Sequence, residues 1–463
     1  MTTTPTPGGI ADLSPLARRK EQRAWYWYDW ANSAYVTTIA TVLFAPYLTS
    51  VAEKAACGFV GDDDRKCVEN LSVLGISVSP GSLVFYVVTI ATIVSALVLP
   101  IVGAHADRSP HKRVLMGRYA WAGASFAALM FFVTGSNWQL GALLLFGANI
   151  MLGASLVVYD AILCEIAEVD ERDRVSSRGW AMGYLGGGLL LAVNLAIVTL
   201  HDSIGLSTGT AVRVSMLSAA LWWAAFTIIP YLGIKDRPAV GKVPESGGLV
   251  RQSFGQLVTT LKDLKNYPVT LTFLLAYLFY NDGIQTVIAS SSVYGEKELG
   301  FETSVLIATI LLVQFIAFFG ALLFGRLAQR YGSRSIILAG LVIWGVIVSV
   351  GYFLPENNIG LFLALAVGIG LVLGGTQALS RSFFSLLIPR GKEAEFFSLY
   401  QACERGTSWL GTLVFGLVHQ LTDSYRPEIF ALILFFVVGG LLLWRVDARR
   451  GIEEAGNAQP AVV

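Results

Sequence analysis

The chain has 463 residues, 54% of them hydrophobic and only 14% charged, with a net charge of +1. A soluble domain carries roughly 25% charged residues, so this composition excludes an ordinary water-soluble protein. The balanced net charge offers no attraction for nucleic acid. Eleven Trp within a 12% aromatic share match the aromatic belts of a protein that crosses a membrane.

Residues 1–24 are polar and rich in Pro and Gly, and they read as a flexible N-terminus. They lack the short apolar core and small-residue cleavage site of a secretory signal. From residue 25 onward, twelve apolar runs are long enough to span, since a crossing helix needs about 20 residues. They cover 25–50, 82–104, 114–134, 138–166, 177–200, 210–234, 268–293, 303–328, 334–354, 358–388, 395–421 and 427–446. The expected fold is therefore an all-α polytopic membrane protein of twelve transmembrane helices. Most of the 33 Lys and Arg fall between alternate runs, at 18–23, 108–113, 172–178, 235–265, 326–334, 390–392 and 445–450. Basic loops stay in the cytoplasm, which places both termini, including the tail 448–463, on the cytoplasmic side of a cell membrane.

The first run opens with YWYDWANSAY, residues 26–35. On a helix Asp29, Asn32 and Ser33 share one face. Arg23, a cytoplasmic anchor, precedes Asp29 by six residues, about 9 Å along a helix. Asp29 is thus expected near the inner mouth of a cavity rather than at the bilayer centre. Cys57 and Cys67 lie together in the first outer loop, where an oxidising compartment permits a disulfide. The alternative is two free thiols. No Cys/His group has metal-ligand spacing, and no cofactor loop or nucleophile–base pair stands out, so neither a metal, a cofactor nor an enzyme is expected.

The loop GAHADRSPHKR, from Gly103, is echoed by GRLAQRYGSRS, from Gly325, an offset of 222 residues. The same offset pairs GASLVVYDAILCEIA, from Gly153, with GTQALSRSFFSLLIP, from Gly375. Two six-helix halves, 25–234 and 268–447, joined by the linker 235–267, are expected. Such repeats mark secondary transporters with a site near mid-membrane between the halves. Within the linker, Val250, Phe254, Leu257, Val258, Leu261 and Leu264 would share one face of an amphipathic helix lying on the inner membrane surface.

The Gly103 loop resembles the signature of the major facilitator superfamily. Gly103, Asp107, Arg108 and Lys112 match it, while His105 and Pro110 depart from it. The second copy keeps Gly325, Leu327, Ala328, Arg330 and Gly332 but has Gln329 where the signature has Asp. YDWANSAY, FYNDGIQTV, GGTQALSRSFFSLLIP and EFFSLY together resemble the vacuole-effluxer-like branch, named for a fungal vacuolar amino-acid exporter. Glu404-Arg405-Gly406 departs from that branch. The resemblance implies a major facilitator fold, transport, an inner gate built on the Gly103 loop, and a central cavity lined by spans 1, 4, 7 and 10.

Ionisable groups inside a membrane are functional candidates by default. Here they are Asp29, Asp160 and Glu165, Asp282, Arg381, and Glu404 with Arg405, most of them on the spans the resemblance assigns to the cavity. Asp282 follows Pro268 by 14 residues, about 20 Å, and is expected near mid-depth with Asn281 and Gln285 beside it. Arg381, one turn after Gln377, needs an anionic partner. Asp160 and Asp282 are both candidates, as is an anionic group of the solute. Glu404 and Arg405 are adjacent and make no simple pair. These residues predict a monomeric, proton-coupled transporter of a small polar solute, amino acids first. The rivals are an amphipathic-drug efflux pump and a non-transporting receptor or lipid scramblase.

Overall fold

The computed structural model of the protein describes residues 14–61, 67–73, 75–239, 262–406, 418 and 425–463. Among them, nine helices are long and apolar enough to cross a membrane. In chain order these are α1 (Pro15–Cys57), α2 (Leu83–Asp107), α3 (Lys112–Leu129), α4 (Trp138–Ile166), α5 (Arg172–Thr199) and α6 (Thr208–Gly233), then α8 (Thr303–Tyr331), α9 (Ser333–Tyr352) and α10 (Ile359–Leu386). The other three expected runs hold α7 (Pro268–Lys297), α11 (Glu393–Gly406) and α12 (Ile433–Arg445). The arrangement is consistent with twelve spans. Helix α7 is long enough to cross at 30 residues, but Asn281, Asp282 and Gln285 dilute its apolar middle. The amphipathic stretch of the linker and the glycine-rich end of the eleventh run lie outside the described residues.

Helix α1 is not regular throughout. Residues Tyr35–Leu43 wind as a π-helix, just before Pro46. Proline has no N–H and its ring clashes with the carbonyl four residues earlier, so a wider turn ahead of it relieves both defects. The Thr41 hydroxyl donates to the Val36 carbonyl five residues back at 2.8 Å, following that wider turn. The change of pitch separates the Asp29 face from the half of the helix that leads to Cys57.

Between α1 and α2 a short hairpin pairs β1 (Leu71–Val73) with β2 (Ile76–Val78), antiparallel, with Leu71 opposite Val78. Cys57 and Cys67 are joined in a disulfide in the same loop, with Cα atoms 5.8 Å apart.

Small residues bring the helices close, as in membrane bundles generally. Gly183 and Gly187 of α5 lie against Ser33 and Thr37 of α1, and Gly374 of α10 lies against the Ala317 backbone of α8. Between the halves, α5 packs on α8 and α2 on α11. The start of α1 and the C-terminal tail meet the same turn between α4 and α5. Arg18 pairs with Glu168 and Glu171, and the Ala461 amide donates to Asp170 at 2.7 Å. Both ends therefore lie on one face, the terminus face. There a last helix, α13 (Ala448–Glu454), turns 65° from the helix before it.

Candidate functional site

The site is built around Arg381, one buried arginine in an apolar helix. Its guanidinium lies 3.0 Å from Asp29 Oδ2 and 3.3 Å from Asp160 Oδ1. Its Nε donates to the Ser176 hydroxyl at 3.0 Å and one terminal nitrogen to the Ser176 carbonyl at 3.1 Å. Thus α10 supplies the cation, and α1, α4 and α5, all from the other half, supply its partners. Arg381 is 2% exposed, Asp29 7% and Asp160 1%. Charges closed off this far hold only when paired and hydrogen-bonded.

Aromatic rings complete the enclosure. The guanidinium carbon lies 4.8 Å from the Trp25 ring and 5.4 Å from both Tyr159 and Trp180. Trp25 stacks on Tyr159 at 4.2 Å, and its indole N–H donates to the Tyr159 carbonyl at 2.9 Å. The Tyr159 hydroxyl donates to Asp29 Oδ2 at 2.7 Å. Asp29 is therefore held by two groups at once, and the rings exclude water that would weaken the pair.

Of the two carboxylates the sequence offers as partners for Arg381, Asp160 is the one it meets in this conformation, and Asp29 joins it. Asp282 is fully buried on α7. Its neighbour Asn281 accepts from the Gln377 amide at 2.8 Å and donates to the Glu404 carbonyl at 3.2 Å. Gln285 is half-buried one turn on. Asn32 donates to the Tyr28 carbonyl of its own helix at 2.6 Å. Glu404 and Arg405 are brought together after all, through Gln401. Its amide nitrogen donates to Glu404 at 3.1 Å and to Asp160 at 2.9 Å, and its oxygen accepts from Arg405 at 3.4 Å.

A second layer closes the terminus face. Asp107, at the end of α2, accepts the Ala394 and Glu395 amides at 2.9 and 2.8 Å. Its carboxylate thus caps α11, where free amides and the helix dipole favour an anion. Lys112 lies 3.5 Å from Asp107 and 2.6 Å from Glu165, tying the loop back to α4. A Cβ at Gly103 would collide with the Ala394 carbonyl, so only glycine lets α2 and α11 approach this closely. Arg108 is half-buried at the same turn.

The second copy of the loop works differently. Gly325 packs on Ser177 of α5, but Arg330 is exposed and its guanidinium lies 5.3 Å from the Tyr331 ring. The acid here is Asp173, at the start of α5. It accepts from Ser382 at 2.6 Å and from Ser333 at 2.8 and 2.7 Å. Arg172 adds a bond to the Ser385 carbonyl at 2.7 Å. Asp173, Ser176, Gln401 and Tyr159 also belong to the site, although none is a charge within an apolar run. The first lies just outside a run, and the others are neutral.

Outside the spans, Asp236 forms an ion pair with Arg113 at 3.0 Å and a hydrogen bond with His111 at 2.9 Å, fixing the start of the linker to the Gly103 loop. Burial opposes its charge, but these two partners outweigh that and hold its carboxyl below the usual range.

Comparison with known proteins agrees with this architecture. Residues 17–456 match the family model described as "Vacuole effluxer Atg22 like". An uncharacterized MFS-type transporter of Bacillus subtilis, YxiO, is 31% identical over 92% of this chain and 94% of its own length. Autophagy-related protein 22-2 of Aspergillus niger is 24% identical, covering 98% and 93%. Among solved structures, the proton:xylose symporter XylE superposes with a TM-score of 0.67 at 12% identity, over 96% of this chain and 99% of that one. A bacterial homologue of the iron transporter ferroportin, outward-facing, gives 0.62 at 13%, over 94% and 100%. At these identities the structural likenesses speak for the fold alone.

Proposed function

The chain belongs to the Atg22-like vacuole effluxer family of major facilitator transporters, and from that premise we propose that it moves a small polar solute by proton-coupled alternating access, amino acids or close relatives first. The observation that carries this reading is Arg381 of one half held by Asp29 and Asp160 of the other. Opening the terminus face must draw Arg381 away from both carboxylates. Leaving a buried charge without its partner costs about 3–5 kcal/mol. That cost falls if protons neutralise the carboxylates and an anionic group of the solute, such as an amino-acid carboxylate, takes their place on the guanidinium. Solute and proton would then be released together to the side that opens. Asp282, buried in α7, is a second carboxylate for the proton path. The setting that goes with this reading is a monomer in a cell membrane with both termini in the cytoplasm.

The test is solute flux in proteoliposomes with and without a pH gradient, on solutes first chosen by thermal stabilisation of the purified protein. Wild-type flux of an amino acid should rise with the gradient. Asp29→Asn should abolish the gradient dependence, and Arg381→Lys should cut flux at least about tenfold, since an ammonium cannot reproduce the planar fork. Asp282→Asn with unchanged gradient dependence would remove that residue from the proton path. Undiminished flux of an uncharged amphipathic solute in Arg381→Ala would favour drug efflux instead. Lipid movement without solute flux would favour a scramblase.

A further inference from the structure

We propose that Gln401 is the positioning residue through which the Glu404–Arg405 pair governs the Arg381 latch. The inference rests on reading Arg381 as the latch of the terminus face. Gln401 lies on α11 and is 3% exposed. Its amide nitrogen bonds both Asp160 Oδ2, at 2.9 Å, and Glu404 Oε2, at 3.1 Å, while its oxygen accepts from Arg405 Nε at 3.4 Å. The other oxygen of Asp160 faces Arg381 at 3.3 Å. A continuous chain therefore runs from Arg381 on α10 to Asp160 on α4, then back through Gln401 to Glu404 and Arg405 on α11. It crosses from the C-terminal half to the N-terminal half and returns.

The two ends of this chain differ in access. Arg381, Asp160 and Gln401 are buried, whereas Glu404 and Arg405 are partly exposed. Glu404 and Arg405 also stand about one turn further from the terminus face than Gln401, on the far side of the latch. In this reading they are the charges that a solute or a proton arriving from that side meets before the latch. An amide has two N–H donors and one acceptor oxygen, and here every one is committed to a charged group. A cationic group on Glu404 frees an N–H that can turn wholly to Asp160. An anionic group on Arg405 takes away the donor that fixes the amide oxygen. Either event changes how Asp160 is held, and so how firmly it holds Arg381. In a low-dielectric interior such changes are transmitted rather than screened by water.

The coupling can be read without any solute. The Ala394 and Glu395 amides that donate to Asp107 report directly on closure of the terminus face, so hydrogen exchange of the 391–397 segment measures its opening. Glu404→Gln, which removes the charge as an occupying cation would neutralise it, is compared in two backgrounds. In the natural background it should change protection of this segment by roughly fivefold or more, within the range of coupled networks. In the Gln401→Leu background the same change should be less than about twofold, and in Arg381→Ala it should vanish. An equal effect in all backgrounds would overturn the role of Gln401. So would a Gln401→Leu protein that loses protection throughout α4 while keeping the full Glu404→Gln effect, because that describes a merely structural glutamine. If Gln401→Leu does not fold, Gln401→Met retains the length and supplies the same comparison. No flux enters this measurement. Intact coupling without liposome transport would count against the transport reading alone, and transport without coupling against Gln401 alone.

Discussion

Asp107 and Asp173 close the same face from opposite sides of the internal repeat. Asp107 ends α2 and accepts the Ala394 and Glu395 amides at the start of α11. Moving Ala394 and Glu395 back by the repeat offset of 222 residues gives Arg172 and Asp173, at the start of α5. Moving Asp107 forward gives Gln329, which is exposed. In the first copy the loop carries the acid and the helix offers donors. In the second the helix carries the acid, and Ser333 and Ser382 are the donors.

Asp173 should therefore matter to closure as Asp107 does. Hydrogen bonds to a charged group are worth roughly 1.5–3 kcal/mol each. Asp173→Asn, which keeps one acceptor, is expected to weaken closure by about 2 kcal/mol, roughly thirtyfold in the open population. Hydrogen exchange across 382–397 would show it, with Asp107→Asn as the reference. Adding Gln329→Asp should not restore protection, because that side chain points to solvent. Unaltered exchange in Asp173→Asn would show that the second copy contributes nothing to the gate.

Much of this arrangement is legible in the sequence because a charge in an apolar run stands out. Asp29, Asp160, Glu165 and Arg381 announce themselves this way, and the need of Arg381 for an anion narrows its candidates to Asp160, Asp282 and an anionic group of the solute. Choosing between Asp160 and Asp282 depends on how α4 and α7 are rotated about their axes, which packing against neighbouring helices sets and the pattern of apolar runs does not reveal. Gln401 and Ser176 are ordinary polar residues, visible only once their neighbours are. Trp25 and Trp180 read as interfacial belt residues, yet they cover the guanidinium. The exchange of acid between repeats is hidden for another reason. Gln329 looks like a decayed motif, while Asp173 sits in a charged stretch just outside an apolar run. Asn32 shares the Asp29 face by helical periodicity, but a backbone carbonyl of its own helix claims its side chain.

The linker anchor carries a pH dependence with a definite sign. The carboxyl of Asp236 is held below its usual range by Arg113 and His111 against the effect of burial. A depressed acid adds stability above its unfolded pKa, about 3.9, and loses it as the pH falls through the lower folded value. Asp236→Asn should thus lower the melting temperature at pH 7 and at about pH 5, and the difference should shrink toward about pH 3. Melts of the two proteins across that range check it. A gap that widens between about pH 5 and about pH 3 would mean that the carboxylate is not what anchors the linker.

The disulfide gives a way to test orientation as well as stability. Cys57 and Cys67 are ten residues apart, and closing so short a loop stabilises by about 2–3 kcal/mol on the chain-entropy account. The bridge lies in the loop between α1 and α2, which α1 carries across the membrane from the terminus face. Cys164 is buried within α4. If the termini are cytoplasmic, a membrane-impermeant reductant given to intact cells, followed by an impermeant maleimide, should label Cys57 and Cys67. A cysteine placed at the exposed Glu168 should stay unlabelled until the cells are opened. Cys57→Ser should lower the melting temperature while leaving the Arg381 cluster and solute flux intact, because the loop lies at the opposite end of α1 from Asp29. Labelling at position 168 in intact cells would reverse the orientation inferred from the basic loops.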